Sequence, residues 1–224
     1  MDEVEKTNQL PAVGTAPMPP ATANRLGLYL RELQQFQRSG TETIKSVMLA
    51  RRLGLSDSQI RRDLAMFGQF GKRGVGYEVA GLVGALKRAL GTDGQWSTIL
   101  VGLGNLGLAL LRYRGLAEQG FIIRAVFDSD SAKIGRQIDG ISIHDIAHLS
   151  DILPQLDARM AILAVPASEA QSVAMQLAEL GISGILNFTP VSLSISKRIS
   201  IVDVDLALEL QRLAFAVVNS EQSS

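Results

Sequence analysis

Three glycines with G-x-G-x-x-G spacing, Gly102, Gly104 and Gly107, stand in the segment ILVGLGNLGLALL. In this pattern the first glycine permits a tight turn from a strand into a helix, the second lets a pyrophosphate approach the backbone, and the third lets the helix pack on the strand. The free N–H groups of the helix start then face the anion. The pattern predicts a dinucleotide site, and a glycine turn that only packs a helix is the alternative.

An acidic residue at the end of the next predicted strand, Asp128, strengthens this prediction because it follows Gly107 by 21 residues. A carboxylate there accepts hydrogen bonds from the adenosine ribose and repels a 2′-phosphate, so we expect NADH and NAD⁺ rather than NADP(H). For Asp130 and Lys133, cofactor contact and ordinary turn chemistry are equally open. The hydride-transfer end of such a site lies across the switch point, at the ends of two later strands. The predicted cofactor contacts in these segments are Gly102, Gly104, Asn105, Leu106, Gly107, Asp128, Asp130, Lys133, Val165, Pro166, Asn187 and Phe188.

A second pattern, at residues 43–67, predicts a helix-turn-helix with helices Thr43–Leu53 and Ser56–Phe67. Ser56 and Gln59 form a predicted capping box. With Ile60, Leu64 and Phe67 inward, the opposite face of the second helix carries two arginines that could read base edges or phosphates. A glycine-rich hairpin follows, whose tip would act as a wing, although a solvated basic face and a surface hairpin are the alternative. The predicted DNA contacts are Arg25, Ser58, Gln59, Arg61, Arg62, Lys72, Arg73 and Gly74.

Other reactive side chains are scarce. His144 and His148 have i,i+4 spacing, but no third ligand is patterned nearby, so we expect a surface pair, no metal and no catalytic base. The chain has no cysteine, which excludes disulfides and thiolate-bound metals. A dinucleotide site without an evident acid, base or substrate domain suits a sensor better than an enzyme.

Charge is unevenly distributed along the 224 residues, although the formal net charge is zero. Residues 20–90 carry 12 Lys and Arg against 5 Asp and Glu, whereas residues 91–224 carry 9 against 14. Only the first block is therefore expected to face a polyanion. The acidic N-terminus lacks the apolar core of a signal peptide, and no run of 18 apolar residues exists, so we expect a cytoplasmic protein.

These patterns divide the chain into segments. We expect a disordered tail at 1–19, a winged-helix DNA-binding domain at 20–90, a linker at 91–96, a Rossmann domain at 97–204, and a C-terminal helix and tail at 205–224. Strands alternate with helices after residue 97, which indicates an α/β fold with a doubly wound parallel sheet. The predicted strands are Ser97–Val101, Ile122–Asp128, Ile141–Ile143, Met160–Val165, Ile185–Asn187 and Ile199–Val202. The predicted helices between them are Gly104–Gln119, Ile146–Leu149 and Glu169–Leu180. The last helix, Asp205–Val218, is apolar and follows the completed sheet, so it needs another partner.

Several longer strings resemble one known family. They are SDSQIRRDLAMFGQFGKRGVGYEV, LVGLGNLGLALL, MAILAVPA, GISGILNFTP and VDLALELQRLAF, and they resemble the redox-sensing transcriptional repressors called Rex over residues 20–218. The resemblance implies a homodimer with a C-terminal helix swapped onto the partner. It also implies a palindromic operator that the protein releases on binding NADH and that NAD⁺ releases poorly.

Two further cofactor residues are implied by the resemblance alone. Tyr113 matches the tyrosine of the family's Y-x-G-F segment near the nicotinamide, with Leu116 in place of the usual phenylalanine. Asp205 matches the aspartate that starts the swapped helix and reaches the partner's site. Two alternatives remain: an NAD-dependent oxidoreductase with an added DNA-binding domain, and a non-enzymatic CoA-binding module. Asp128 argues against the CoA-binding module, because it favours a dinucleotide.

Overall fold

The computed structural model describes residues 19–66, 71–72, 76–195 and 199–221. The chain divides into two compact units, Met1–Gly94 and Gln95–Ser224, with the boundary inside the predicted linker. The predicted disordered tail lies outside the described residues apart from Pro19, as do Phe67, Arg73 and Gly74.

The first unit combines helices with a small antiparallel sheet. Its elements are α1 (Pro20–Arg38), β1 (Thr43–Ile44), α2 (Ser46–Leu53), α3 (Asp57–Ala65), β2 (Gly71–Lys72), β3 (Gly76–Glu78) and α4 (Val79–Ala89). The strand order is β1-β3-β2, so β2 and β3 form the predicted hairpin, and β1 adds a third strand. This is a winged-helix arrangement, as the sequence predicts.

Local chemistry fixes the turn between α2 and α3. Gly54 ends α2 in the left-handed region, at φ 65°, which glycine adopts without strain. The Ser56 hydroxyl accepts a hydrogen bond from the Gln59 N–H at 3.2 Å and caps α3, as predicted. Ile60 and Leu64 then point inward and are almost fully buried. These contacts leave the opposite face of α3 in solvent.

The second unit is a seven-stranded sheet with helices on both faces. Its elements are β4 (Trp96–Val101), α5 (Asn105–Leu111), α6 (Arg114–Glu118), β5 (Phe121–Asp128), β6 (Gln137–Ile138), β7 (Ile141–Asp145), α7 (Leu149–Ile152), β8 (Met160–Leu163), α8 (Ala167–Glu179), β9 (Gly184–Asn187), β10 (Ser200–Asp203) and α9 (Leu206–Glu221). Short 3₁₀ turns flank α7. The order is β10-β9-β8-β4-β5-β7-β6, parallel except for the β6 edge. From β4 the chain adds β5 and β7 on one side of the sheet and then β8, β9 and β10 on the other side. The boundary between β4 and β8, where this order reverses, is the switch point of a Rossmann sheet.

The two faces of this sheet are covered unequally. On one face, α8 packs on Ile99, Ala161 and Ile185 through Ala170, Ala174 and Leu177. On the other face, residues of α5 and α6 pack on Leu100 and Val126. Along β8, β9 and β10 this second face lines an apolar cavity of about 340 Å³. All described side chains of α9, residues 206–220, are exposed.

Two sequence predictions of local structure are wrong, and one edge strand was missed. The helix predicted at Thr43–Leu53 starts only at Ser46, because Thr43 and Ile44 pair with β3. The helix predicted at Gly104–Gln119 breaks into α5 and α6 at Arg112 and Tyr113. The β6 edge strand was not predicted, since two residues leave no periodic pattern.

Candidate functional site

A cleft of about 430 Å³ opens at the carboxyl ends of β4, β5 and β8, where a Rossmann sheet binds its ligand. Nine predicted cofactor residues line it: Gly102, Gly104, Asn105, Leu106, Asp128, Asp130, Lys133, Val165 and Pro166. The structure therefore brings together residues that are up to 64 positions apart in the sequence.

The glycine loop has the geometry that a dinucleotide requires. Gly102 has φ 94°, and a Cβ there would overlap the Ala164 carbonyl. A Cβ at Gly107 would overlap the Gly102 carbonyl, so Gly107 lets α5 pack against the loop rather than lining the cleft. By contrast, a Cβ at Gly104 would meet no atom within 4 Å. The loop thus leaves open space at the one glycine where the pattern places a pyrophosphate, and the residues fit the cofactor.

The Asp128 carboxylate lies in the lining of the cleft, and the residue is 8% exposed. Its Oδ2 accepts from the Leu103 N–H at 2.6 Å, and its Oδ1 accepts from the Asp130 N–H at 2.8 Å. The Lys133 ammonium lies 3.3 Å from Asp128 and 3.3 Å from Asp130. Partial burial alone lowers the pKa of Lys133, but its bonds to the two carboxylates raise it overall. Asp128 therefore stabilises the glycine loop through its hydrogen bond from Leu103, in addition to the ribose contact that the sequence predicts.

The pKa of the Asp130 carboxyl is also shifted by its neighbours. The backbone hydrogen bond from Ala132 and the contact with Lys133 lower the pKa of this carboxyl. The lining of the cleft thus carries the carboxylates of Asp128, Asp130 and Glu169 and the ammonium of Lys133, a net negative formal charge.

Five predicted cofactor residues lie outside the cleft lining: Gly107, which packs α5 against the loop, and Tyr113, Asn187, Phe188 and Asp205. Tyr113 is 62% exposed, and its ring lies over Gly115, where a Cβ would stand 2.5 Å from the ring carbon Cζ. Phe188 packs partly buried against the apolar core of the α5 face. Asp205 is exposed and caps α9, its Oδ1 accepting from the Ala207 and Leu208 N–H groups.

Asn187 also lies outside the cleft lining. Its side chain is fully buried and its amide is bound inside the protein, so it does not face the cleft. The cofactor contact that the sequence assigns to Asn187 stays a prediction. Its partners lie up to 16 residues away, and a single sequence gives no sign of them.

Sequence reasoning also missed residues that line the cleft. Leu103, Ser129, Ile146, Ala164 and Glu169 all contribute to the lining. Four of these five directly follow a strand or a predicted contact, and the rule that ligands bind beyond strand ends could have included them. Glu169 stands in the first turn of α8, and no sequence signal distinguishes it from an ordinary helix-start acid.

The exposed face of α3 carries Ser58, Arg61 and Arg62, as predicted. Arg61 is held within its own unit, because its Nη2 lies 2.5 Å from Asp57 and its Nε donates to the Ser46 hydroxyl at 3.2 Å. Lys72 lies in strand β2, and its side chain is outside the described part of the chain, as are Arg73 and Gly74.

Two residues predicted to contact DNA, Arg25 and Gln59, are bonded to Asp63. Arg25 Nε and Nη2 donate to the Asp63 carboxylate at 2.7 and 2.9 Å, and Gln59 Nε2 donates to it at 2.8 Å. The Tyr29 hydroxyl adds a fourth hydrogen bond at 2.7 Å. Arg25 and Tyr29 of α1 therefore hold α3 against α1, whereas Gln59 bonds to Asp63 within α3 itself.

Neither a cluster of metal-ligating side chains nor a membrane-spanning helix occurs among the described residues. Within those ranges, no group of three His, Asp or Glu side chains could hold a metal ion. None of the described helices is long and apolar enough to cross a membrane.

Comparison with known proteins relates both units to characterised families. Residues 17–65 match the family model "Putative DNA-binding protein N-terminus", and residues 93–191 match the model "CoA binding domain". The redox-sensing transcriptional repressor Rex of Desulfitobacterium hafniense is 42% identical over 203 residues, which cover 91% of this chain and 97% of that protein. The Rex protein of Carboxydothermus hydrogenoformans is 41% identical over 200 residues, covering 89% and 96%. This chain belongs to the Rex family.

Solved structures of a Rex-family repressor, RSP, share the fold over most of the chain. RSP in complex with β-NAD⁺ and operator DNA has a TM-score of 0.85 and 31% identity, covering 92% of this chain and 95% of that one. RSP with β-NADH has a TM-score of 0.82 and 29% identity, covering 92% and 97%. The predicted fold class, a winged helix joined to a Rossmann domain, is confirmed, and the Rex assignment identifies the chain as a transcriptional regulator.

Proposed function

We propose that this Rex protein is a repressor that binds a palindromic operator through its first unit and leaves it when NADH occupies the cleft of its second unit. The observation that carries the proposal is the cleft itself: an open glycine loop beside a buried aspartate, in the same chain as a capped helix-turn-helix. RSP was solved with β-NAD⁺ and operator DNA and with β-NADH, which supports both ligands.

The adenosine half of the cofactor is assigned to the residues around Asp128. The N–H groups around Gly104 and Asn105 hold the pyrophosphate, and Asp128 faces the adenosine ribose. Because the cleft lining has a net negative formal charge, it disfavours the 2′-phosphate of NADP(H), although Lys133 offsets part of that effect. Val165 and Pro166 line the side toward the nicotinamide.

The operator is assigned to α3 and the wing. Arg62 and Arg61 project from the exposed face of α3 and can reach base edges or phosphates in the major groove, with Ser58 beside them. Lys72 and Arg73 belong to the wing and are assigned to phosphates or the minor groove. Arg25 acts by holding α3 in place through Asp63 rather than by touching DNA, and Gln59 supports the same carboxylate from within α3.

The protein is proposed to be a homodimer whose α9 helices are exchanged. Leu206, Leu210, Leu213, Phe215 and Val217 are all about half exposed or more, too much apolar surface for a helix that stays in water. The cavity along β8, β9 and β10 is almost wholly apolar. It lies on the face of the sheet that α5 and α6 cover at β4 and β5. A partner's α9 seated there covers both surfaces.

The exchange also completes the cofactor site. The partner subunit's Asp205 approaches the nicotinamide near Tyr113, so the oxidation state of the ring is read at the subunit interface. NADH then favours a dimer geometry in which the two α3 helices no longer match the half-site spacing, which requires NADH to bind that geometry better than the DNA-bound one. No turnover of the cofactor is needed, so the protein is not an enzyme, and it works in the cytoplasm, with the DNA.

The deciding experiment is an operator-binding titration. A palindromic duplex selected by the full-length protein from a random library is labelled, and its fluorescence anisotropy is followed as NADH, NAD⁺, NADPH or acetyl-CoA is added. We expect NADH to release the duplex at far lower concentration than the other three. Release by acetyl-CoA instead would support a CoA-binding module, and turnover of NADH with a small 2-hydroxy acid or aldehyde would support an oxidoreductase.

A further inference from the structure

Asn187, the last residue of β9, is bonded to the segment that leads into α9. Its Nδ2 donates to Asp203 Oδ1 at 2.7 Å and to the Val191 carbonyl at 2.9 Å, while its Oδ1 accepts from the Thr189 N–H and hydroxyl. The Asn187 carbonyl also accepts from the Val204 N–H at 2.8 Å. Two donors and two acceptor sites are all that a side-chain amide offers, so this amide is saturated.

These bonds join two places that matter for the proposed mechanism. Asn187 stands at the carboxyl edge of the sheet, and through Thr189 and Val191 it shapes the loop that follows β9. Asp203 is two residues before Asp205, which caps α9. Only Val204 separates the clamped residue from the helix cap.

The direction of α9 depends strongly on this root. Every described α9 side chain is exposed, so the helix has little contact with its own subunit beyond its start. A helix of 16 residues is about 24 Å long at 1.5 Å per residue. A rotation of about 10° at the root therefore moves the far end by about 4 Å, enough to shift helix packing in a partner.

We infer that Asn187 and Asp203 form a clamp that positions α9 and thereby couples NADH binding to operator release. The inference rests on the proposed function, and both are positioning residues, because neither lines the cleft. The strand pairing of β9 with β10 already places Asp203 opposite Asn187. The side-chain bond adds one constraint at the last pair, where the ladder ends and the chain turns toward Asp205.

The test measures coupling directly on the full-length protein. The coupling is the ratio of the NADH dissociation constants with and without saturating operator duplex. Asp203→Ala removes the acceptor for Asn187, whereas Asp203→Asn keeps an amide oxygen that can accept the same bond. Glu179→Ala is the matched control, because it removes an exposed carboxylate at the end of α8, away from the clamp.

We expect Asp203→Ala to reduce the coupling ratio by about fivefold or more, since allosteric coupling commonly spans factors of about 5 to 150. Its NADH affinity without operator and its dimer mass in light scattering should stay at the wild-type values. Hydrogen exchange at the first amides of α9 should rise. Asp203→Asn and Glu179→Ala should keep the wild-type ratio within about twofold, a difference of under about 0.5 kcal/mol.

Three results would overturn the clamp. An unchanged coupling ratio in Asp203→Ala would show that the bond carries no signal. A fall in the ratio together with loss of the dimer or of NADH binding would show a purely structural role. A wild-type ratio of one would overturn the proposed function itself and take the coupling role with it, while the hydrogen exchange would still report whether the bond holds α9.

Discussion

Arg25 and Asp63 form a two-bond ion pair between α1 and α3, with N···O distances of 2.7 and 2.9 Å. Asp63 is 3% exposed, and the Tyr29 hydroxyl and the Gln59 amide complete its shell. The hydrogen bond from Arg25 is the main reason that the pKa of Asp63 lies below its ordinary value. Burial, followed by the contact with Asp63, raises the pKa of Tyr29. The helix assigned to DNA is thus anchored by a charge that must stay ionised.

A pH dependence of the first unit follows from this anchor. Because the folded-state pKa of Asp63 is depressed, its stabilising contribution is present above the unfolded pKa of about 3.9 and is lost as the pH falls below it. We expect the hydrogen-exchange protection factors of α1 and α3, which correct for the intrinsic pH dependence of amide exchange, to fall steeply below about pH 4. Asp63→Asn should show faster exchange at neutral pH and a flatter dependence; equal slopes for both proteins would contradict the role of Asp63.

The buried hydroxyl of Tyr29 gives a second, milder test. Tyr29→Phe removes one hydrogen bond to a charged group in a fully buried position and should cost about 1.5–3 kcal/mol of stability. Denaturant unfolding followed by circular dichroism measures the loss. Tyr77→Phe is the control, since Tyr77 is only partly buried and its hydroxyl is not bonded to Asp63. A loss as large in Tyr77→Phe would show that the Asp63 contact is not the cause.

The arginines of α3 should decide operator affinity. Arg61→Ala or Arg62→Ala should weaken specific binding by roughly 1–3 kcal/mol if the side chain contacts a base edge. Arg159→Ala, an exposed arginine of the second unit, should leave binding unchanged. Normal operator affinity in both α3 variants by gel shift would remove α3 from the DNA surface.

The wing should contribute to affinity more than to sequence choice. Neutralising Lys72 and Arg73 together should lower the slope of log affinity against log salt concentration by about one to two units, with little change in sequence preference.

Cofactor choice should depend on Asp128 and Lys133 in opposite directions. Asp128→Ala should lose NADH affinity, because the Leu103 N–H is released as well as the ribose contact. Asp128→Asn keeps an acceptor for the Leu103 N–H but removes the negative charge. It should therefore reduce the difference between the dissociation constants of NADH and NADPH. Lys133→Met should widen that gap. Calorimetry with both cofactors is the measurement, and equal binding of both by the wild type would remove Asp128 from this role.

The exchanged helix predicts a defined truncation phenotype. Ending the chain at about residue 204 should give a monomer or loose dimer with weak operator binding, because the apolar residues of α9 are removed. Asp205→Ala should keep the dimer but uncouple NADH from release. A stable truncated dimer in light scattering, or normal release of Asp205→Ala by NADH, would count against signalling through the interface.

Repeating local patterns made much of this architecture predictable from sequence. The glycine spacing and the apolar strand runs located the cleft, because turn and strand chemistry act over a few residues. The cap at Ser56 was predicted for the same reason. What the sequence hid were contacts at long separation: Arg25 and Asp63 are 38 residues apart, and Asn187 and Asp203 are 16 apart. A polar residue meant for a buried partner and one meant for a ligand look the same until the fold brings the partner in.

The exposure of α9 has a consequence for how the protein works at low copy number. If each subunit hides its apolar helix only in a partner, folding, assembly and DNA binding become one equilibrium that depends on the square of the subunit concentration. Dilution then weakens repression more steeply than simple operator occupancy would. The rate at which the cell makes this chain therefore helps to set the NADH level at which its target genes are released.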